Sequence, residues 1–313
     1  MSEPTQKEIS IPWPGKAAIT VTLTTPPEGV EPSGYGLLLG PGAGGDEKTA
    51  LLTAVANEVA RQGHFCARYR AKVPNLGFRV SVCTRVLEHL FHPSTGVHPL
   101  KGCFLGGHSM GTRVAGTVAA QLAGGSSTKT APVKKAAAAK GKAKKPATSK
   151  VDTESLSSST GSLPASFVPG LVLFSYPLHT PDNTKALRDQ ILLDIPASVS
   201  TLFVSGLKDT MCQPPLFAKV FKEMKASPRE VIQVTDADHG LGFGSSKPAQ
   251  GKKEALIAGI SEWTTVFMDE AISALEKEDE QRKPSAAAAA TKKKADLKKV
   301  ADEWTVALST IAS

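Results

Sequence analysis

The sequence contains few cysteines and no long apolar run. Only four of its 313 residues are cysteines, and their spacing matches neither a metal site nor the disulfide framework of a small secreted domain. No apolar stretch reaches the ~20 residues that a membrane-spanning helix needs, and residues 1–7 lack the order of a secretory signal. These absences predict an intracellular protein, cytoplasmic or nuclear, with no membrane contact, metal or cofactor. Its reduced thiols should lie in the core: Cys66, Cys83, Cys103 and Cys212.

Acidic residues are absent from one part of the chain, and this absence accounts for the net charge. Residues 123–150 contain eight lysines and no acid, so the other 29 basic and 29 acidic residues balance and leave the formal charge of +8 to this segment. Residues 123–166 have too few apolar side chains to offset the entropy of ordering them, which predicts a disordered insertion. Lysine runs without interleaved aromatics favour a solvated loop over contact with nucleic acid or an acidic protein.

Apolar runs of strand length alternate with segments of helical periodicity. Ile19, Val21 and Leu23 alternate with threonines, which predicts a half-exposed edge strand in an N-terminal antiparallel pair. Six buried runs follow, at residues 37–39, 64–69, 103–105, 171–174, 202–204 and 231–234. A final packing helix is expected at residues 254–275. Strands alternating with helices imply parallel crossovers. The pattern predicts one α/β domain over residues 1–275, a doubly wound, mostly parallel sheet with helices on both faces and no large lid domain.

One of these runs leads into a candidate nucleophile. Residues 107–111 read Gly-His-Ser-Met-Gly, the Gly-x-Ser-x-Gly pattern of a nucleophile elbow centred on Ser109. A serine in so sharp a strand-to-helix turn has a strained backbone, and the flanking glycines let neighbouring segments approach without a clashing Cβ. The pattern alone is a weak signal, because short glycine-flanked turns recur by chance.

An acid and a histidine follow this serine. Asp209 comes after the run at residues 202–204 and His239 after the run at residues 231–234, so all three side chains are expected at the carboxyl edge of the sheet. The order Ser, Asp, His is the one used by α/β-hydrolases. A neutral imidazole takes the serine proton, and a carboxylate fixes its tautomer. We therefore assign the roles of nucleophile, acid and base to Ser109, Asp209 and His239. Asp236 and Asp238 are rival acids by proximity alone, and solvated or capping roles are expected for them.

Acyl transfer also needs N–H donors aimed at the oxygen that becomes negative. One donor should be the backbone N–H of Met110, at the start of the helix after the nucleophile. The second should come from the glycine-rich residues 40–46, which follow an early strand. We favour the N–H of Ala43, with Gly42 and Gly44 supplying backbone freedom around it.

The glycine-rich segment has two other interpretations. Residues 40–45 match the Gly-x-Gly-x-x-Gly fingerprint of a dinucleotide site, and Arg68 and Arg70 at the next strand end would suit a 2′-phosphate. This reading is the lesser alternative. A phosphate loop would need glycine where Glu47 stands, and the carboxylate there would repel phosphate.

Four residues are candidate substrate contacts because of their position beside the predicted site: Gly42, His108, His179 and Arg68. His179 follows the run at residues 171–174 and would either line the acyl pocket or lie on a surface loop. Arg68 would bind an anionic substrate, although arginines in ordinary surface ion pairs are more common.

The composition changes again after residue 275. Residues 276–293 are rich in charge and alanine, which predicts a charged linker. Beyond them, apolar residues recur at spacings of three and four and predict a C-terminal amphipathic helix that completes the segment 276–313. Its apolar stripe comprises Leu297, Val300, Trp304, Leu308 and Ile311. This helix would either pack on its own domain or bind a protein partner or a second copy of the chain, and the sequence favours neither.

Several sequence blocks together resemble a known family. They lie at residues 41–46, 65–69, 104–111, 175–179, 203–212 and 238–239. Over residues 18–275, apart from the insertion, the chain resembles the testis-expressed α/β-hydrolase-like family, which includes a domain of a nonspecific-lethal histone acetyltransferase complex subunit. The resemblance implies a small, lidless α/β-hydrolase fold similar to dienelactone hydrolases, with Ser109, Asp209 and His239 as its triad. Pro41 departs from the histidine common in such loops, and the insertion and tail lie outside the pattern.

Two hypotheses about function follow. The first is a serine hydrolase that cleaves an ester, thioester or similar acyl bond of a modest, soluble substrate through an acyl-enzyme. The second is a catalytically silent interaction module on the same fold, such as a subunit of a chromatin-associated complex. The complete set of serine, histidine and aspartate favours the first.

Overall fold

The computed structural model describes residues 2–124 and 163–279, together with the backbone of residues 306–310. Its strands are β1 (Thr5–Ile11), β2 (Ile19–Thr25), β3 (Tyr35–Gly40), β4 (Phe65–Tyr69), β5 (Gly102–His108), β6 (Gly170–Phe174), β7 (Ser200–Gly206), β8 (Arg229–Val234) and β9 (Val306–Thr310). Its helices are α1 (Ala50–Arg61), α2 (Leu76–Phe91), α3 (Met110–Leu122), α4 (Gln190–Leu193), α5 (Pro214–Glu223) and α6 (Lys247–Asp279), with a 3-10 turn at Ala165–Phe167.

The strands of the described residues form one sheet in the order β1-β2-β4-β3-β5-β6-β7-β8-β9. The six strands from β4 to β8 in this order are parallel. β1 and β2 form an antiparallel pair against β4, and β9 pairs antiparallel with β8. β3, β6 and β7 are buried along their whole length, because helices cover both faces of the sheet.

Two apolar clusters form the core, one on each face of the sheet. α2, α3 and α5 pack on one face, and α1 and α6 pack on the other. The predicted doubly wound, mostly parallel architecture is therefore confirmed.

The described connections between parallel strands contain no additional domain, and the one between β6 and β7 holds only the short helix α4. All three predicted triad residues lie beyond carboxyl ends of these strands, where ligands bind in such sheets.

The predicted edge position of the strand at residues 19–23 is wrong. β2 lies between β1 and β4, so its threonines Thr22 and Thr24 are buried rather than exposed. The edge is formed by β1, whose residues 5–8 are all exposed. A hydrophobicity pattern does not reveal β1, because its first residues are polar and exposed at the edge of the sheet.

The predicted C-terminal helix is wrong for residues 306–310. These residues form β9, whose register on β8 runs from Val306 opposite Val234 to Thr310 opposite Glu230. Without this pairing, β8 would present an unpaired row of N–H and C=O groups. Satisfying that edge outweighs the helical spacing of the apolar residues. The rest of the predicted stripe lies outside the described residues, and α6 continues to Asp279, beyond the predicted start of the linker.

Most of the predicted insertion also lies outside the described residues. Ala123 ends α3, and the described chain resumes at Leu163. Leu163 and Phe167 are buried in the core around the 3-10 turn. Residues 163–166 therefore belong to the fold rather than to the insertion, because their apolar neighbours anchor them.

The four cysteines are free and buried, as predicted. Burial raises the pKa of the Cys66, Cys83 and Cys212 thiols to about 12. Within the described residues, no helix combines the length and the apolar character that crossing a membrane requires.

Candidate active site

Ser109 occupies the turn between β5 and α3 with a strained backbone. Its φ of 52° and ψ of −111° lie outside the regions that serine favours. A Cβ on either Gly107 or Gly111 would overlap the carbonyl oxygen of Gly40 in β3. The two glycines of the motif are thus required by the close approach of β3, and this packing holds the serine in its turn.

The structure brings the three predicted side chains into one hydrogen-bonded chain. His239 Nε2 lies 2.8 Å from Ser109 Oγ, and His239 Nδ1 lies 2.8 Å from Asp209 Oδ2. The other carboxylate oxygen of Asp209 accepts a hydrogen bond from the N–H of Met211 at 2.7 Å. The Asp209 side chain is fully buried, whereas that of His239 is 24% exposed. This arrangement places a proton on Nδ1 and leaves Nε2 to accept the serine proton.

The two rival acids have other partners. Asp238 Oδ1 accepts hydrogen bonds from the N–H groups of Gly240 and Gly242, so it shapes the loop that carries His239. Asp236 forms an exposed ion pair with Lys208, and this hydrogen bond lowers the pKa of the Asp236 carboxyl. Both therefore have the capping and solvated roles that were predicted.

The two predicted oxyanion donors lie beside the serine. Met110 is the first residue of α3, and neither its N–H nor that of Ala43 has a hydrogen-bond acceptor among the described residues. A Cβ placed on Gly42 would lie 3.8 Å from Ser109 Cβ, so the glycine-rich loop abuts the nucleophile. The role of these N–H groups stays a prediction, and their freedom is what such a role requires.

Comparisons with known proteins agree with the fold described above. Residues 150–269 match a family model described as an alpha/beta hydrolase domain, a stretch that includes Asp209 and His239 but begins after Ser109. A dienelactone hydrolase from Anabaena variabilis ATCC 29413 is 16% identical over 83% of this chain and 97% of that chain, with a TM-score of 0.52. Est1E from Butyrivibrio proteoclasticus is 12% identical over 85% of this chain and 99% of that chain, with a TM-score of 0.55. The chain has the α/β-hydrolase fold.

His108, the last residue of β5, contacts the loop that carries His239. Its Nε2 donates to the carbonyl oxygen of His239 at 2.9 Å, and the two rings lie 5.5 Å apart. Burial lowers the pKa of His108, which keeps the ring neutral. Its Nδ1 faces the glycine-rich loop, 3.1 Å from where a Cβ of Gly42 would stand. The contacts of the predicted substrate residues His108 and Gly42 thus connect the end of β5, the loop that carries His239 and the glycine-rich loop.

His179 does not line an open pocket, contrary to one of the two predicted roles, nor is it on the surface. It is fully buried, with Nδ1 donating to the carbonyl of Thr180 at 3.0 Å and Nε2 accepting the N–H of Gln213 at 3.1 Å. Its own N–H donates to the carbonyl of Met211, the residue whose N–H binds Asp209. His179 therefore stabilises the loop that carries Asp209.

Arg68 is also unavailable to a substrate. It is buried, and its guanidinium donates to the carbonyl of Glu47 and to the side chains of Thr53 and Gln6. Arg70 forms two hydrogen bonds with the buried carboxylate of Glu47, at 2.9 and 2.8 Å. Neither arginine is left to bind a 2′-phosphate, which removes the main support for the dinucleotide reading of this loop.

One arginine near the site was not predicted. Arg79 lies on the buried face of α2, and its guanidinium donates to the carbonyls of residues 41, 42 and 43 in the glycine-rich loop. Its signal in the sequence is a charged residue on the apolar stripe that Val82, Val86 and Leu90 share.

Among the residues described, no group of three or more histidine, cysteine, aspartate or glutamate side chains could hold a metal ion.

Proposed function

We propose that this α/β-hydrolase is a serine hydrolase that cleaves ester or thioester bonds through an acyl-enzyme. The observation that carries the proposal is the continuous hydrogen-bonded chain from Asp209 through His239 to Ser109, with both links at 2.8 Å. We call these three residues the Ser109 triad. Its members come from three separate strand ends, so their meeting is a property of the fold and not of local sequence.

The chemistry follows from this chain of contacts. Ser109 Oγ attacks the acyl carbon while its proton moves to His239 Nε2, and the carboxylate of Asp209 stabilises the resulting imidazolium. The oxyanion accepts hydrogen bonds from the N–H groups of Met110 and Ala43. Collapse of the tetrahedral intermediate expels the leaving group, which takes the proton from His239. Water then attacks the acyl-enzyme by the same route, with His239 again taking a proton and returning it to Ser109.

The strained backbone and the partial exposure of the site support this role. Strain of the kind seen at Ser109 costs of order 1–3 kcal/mol and persists where function requires it. The exposed quarter of the His239 side chain marks a route from solvent to the base. Because no described connection between parallel strands covers this edge with a domain, the substrate class we propose is a modest, soluble ester or thioester.

The names of the structural relatives agree with an acyl substrate. One is a dienelactone hydrolase, and Est1E has also been solved with ferulic acid bound. The finer resemblance to the testis-expressed family rests on the sequence blocks alone, and we retain it as part of this proposal. A catalytically silent module has no need to keep all three triad members joined, so the contacts of His239 favour the enzyme.

The proposal is tested by the kinetics of p-nitrophenyl acetate hydrolysis. Wild type should turn over this ester, and it should release a burst of about one nitrophenolate per chain when hydrolysis of the acyl-enzyme is slower than its formation. Ser109→Ala should show no burst and a kcat lower by about 10⁴-fold or more. Ser33→Ala is a matched control, since Ser33 also hydrogen-bonds a histidine but lies at the other end of the sheet. Folded wild type that hydrolyses no faster than Ser109→Ala would favour the silent module.

A further inference from the structure

Arg79 is a fully buried arginine, and its hydrogen bonds to the described residues are all with backbone carbonyls. Nε donates to Val73 at 2.8 Å, Nη1 donates to Pro41 at 3.1 Å and Gly42 at 2.7 Å, and Nη2 donates to Ala43 at 2.9 Å. Within residues 2–124 and 163–279 it forms no ion pair with a carboxylate. One guanidinium thus holds three consecutive carbonyls of the glycine-rich loop.

This arrangement is unfavourable for the charge itself. Burial disfavours the charged form of Arg79 and lowers its pKa, because backbone dipoles replace water only in part. An apolar side chain at this position would continue the stripe of α2 and avoid that cost. The structure therefore places a positive charge without a carboxylate partner against the carbonyls of residues 41–43, in the loop that contacts Ser109.

The geometry of the peptide unit connects this charge to the catalytic edge. In a trans peptide the C=O of one residue and the N–H of the next point in opposite directions. The C=O of Gly42 shares its peptide unit with the N–H of Ala43, and the C=O of Pro41 shares its unit with the N–H of Gly42. When Arg79 binds both carbonyls, both N–H groups point away from it. A Cβ on Gly42 would point toward His108 and Ser109, so this residue lies on the side of the loop that faces the serine. The Ala43 N–H has no acceptor among the described residues.

We propose that Arg79 is a positioning residue for the oxyanion hole. It holds the loop at residues 41–43 so that the N–H of Ala43 is directed toward the oxygen that becomes negative on the substrate. Its fixed charge also polarises these peptides, which makes their N–H groups stronger donors in a site with little water. The inference rests on the proposed hydrolase function and adds a residue that touches no substrate itself.

The test compares substitutions at two arginines of α2. Arg79→Lys keeps the charge but loses the planar fork that binds three carbonyls, and Arg79→Met removes the charge. Arg85→Met is the matched control, because Arg85 is on the same helix and, within the described part of the chain, its side chain donates only to the exposed carbonyl of Pro12. For each variant we would measure the unfolding temperature, kcat and KM for p-nitrophenyl acetate, and the affinity for an aryl boronic acid that forms a tetrahedral adduct on Ser109.

Both Arg79 variants should lower kcat/KM by about 10- to 100-fold, somewhat less than the loss of a whole oxyanion donor. Affinity for the boronic acid should fall in parallel, while KM changes by less than about threefold, because only the tetrahedral state uses these donors. Arg85→Met should match wild type. A merely structural role would lower the folded fraction without changing kcat per active site, which fluorophosphonate titration counts.

A double-variant cycle sharpens the test and covers the case in which Arg79→Met does not fold. Ala43→Pro removes the N–H directly at an exposed position, so adding Arg79→Lys to it should cost little further activity. Folded Arg79→Lys with kcat/KM and boronic acid affinity within about twofold of wild type would overturn the inference and leave the hydrolase proposal intact. A wild type that does not hydrolyse ester would overturn both.

Discussion

The protein contains a second serine, histidine and aspartate in contact, at the amino end of the same sheet. Ser33 Oγ lies 2.6 Å from His64 Nδ1, and His64 Nε2 lies 3.1 Å from Asp269 Oδ1. We call these residues the Ser33 chain. Ser33 precedes β3, His64 precedes β4 and Asp269 lies on α6, far from the Ser109 triad. The two sets have the same chemical groups at similar distances.

Backbone and burial separate the two sets. Ser109 has a positive φ and occupies the N-cap position of α3, whereas the φ of Ser33 is not positive and its Oγ accepts the N–H of Tyr35. In the Ser33 chain the histidine is only 2% exposed while the acid is 45% exposed, the reverse of the order in the Ser109 triad. A carboxylate in water gives less support to an imidazolium than a buried one.

The comparison separates the nucleophile that we propose from a serine with the same kinds of contact. A reactive serine also needs free N–H donors where charge develops, a base that substrate can reach and an acid shielded from water. Among the described residues, the Ser109 triad combines a buried carboxylate, a partly exposed histidine and neighbouring N–H groups without an acceptor. The Ser33 chain instead links α6 to the starts of β3 and β4, and its contacts serve to hold that helix on the sheet.

The largest difference is expected for the two histidines. His239→Ala should lower kcat by about 10⁴-fold or more with little change in stability, because it removes the base. His64→Ala should leave kcat of the folded protein unchanged and lower the free energy of unfolding by about 1–3 kcal/mol, since it removes a buried imidazole together with its hydrogen bonds to Ser33 and Asp269. Ester hydrolysis and urea denaturation measure the two effects. Loss of activity in folded His64→Ala would contradict the claim that the Ser33 chain has no part in catalysis.

The two acids should differ nearly as much. Asp209→Asn should lower kcat by about 10⁴-fold, because an amide favours the wrong tautomer of the base. Asp269→Asn should leave kcat unchanged and cost no more than about 1 kcal/mol, because its carboxylate is largely exposed. The kcat of each variant, measured at equal folded concentration, checks this pair. Similar losses at both positions would contradict the assignment of Asp209 as the acid.

Deleting residues 126–160 tests whether the segment after α3, which begins at the end of that helix remote from Ser109, is needed for folding or activity. The described flanks of this segment lie at the end of α3 and before β6, and the 13 residues of α3 place the first flank about 20 Å from Ser109. The deletion variant should therefore keep its kcat within about twofold and its cooperative unfolding. Loss of folding or of ester turnover would show that the segment is not dispensable.

The smallest effect is expected from His108. Because burial lowers its pKa in the folded protein below the ordinary 6.5, the unfolded chain binds the proton first. The free energy of unfolding should therefore fall as the pH drops below about 6.5, until the folded state is protonated too. His108→Gln should make this decline shallower when denaturation is followed between pH 7.5 and 5. An unchanged slope would contradict the assignment of a depressed pKa to this ring.

The triad could be predicted because each member follows an apolar run, and parallel strands bring such positions to one edge. The roles of Arg68 and His179 could not, because they depend on partners far along the chain, such as Gln6 for the first and Gln213 for the second. Residues 306–310 show the same limit, since their strand forms on β8, more than 70 residues earlier. Arg79 lies between these cases. Its charge is visible on an apolar stripe, but its carbonyl partners are not.

The central claim is that Ser109 alone is activated. A fluorophosphonate probe reacts with an activated serine, and peptide mass analysis locates the adduct. Folded wild type should carry one adduct, on Ser109 and not on Ser33, while Ser109→Ala should remain unlabelled. Folded wild type without any adduct, or a Ser109→Ala variant that is still labelled, would contradict the account.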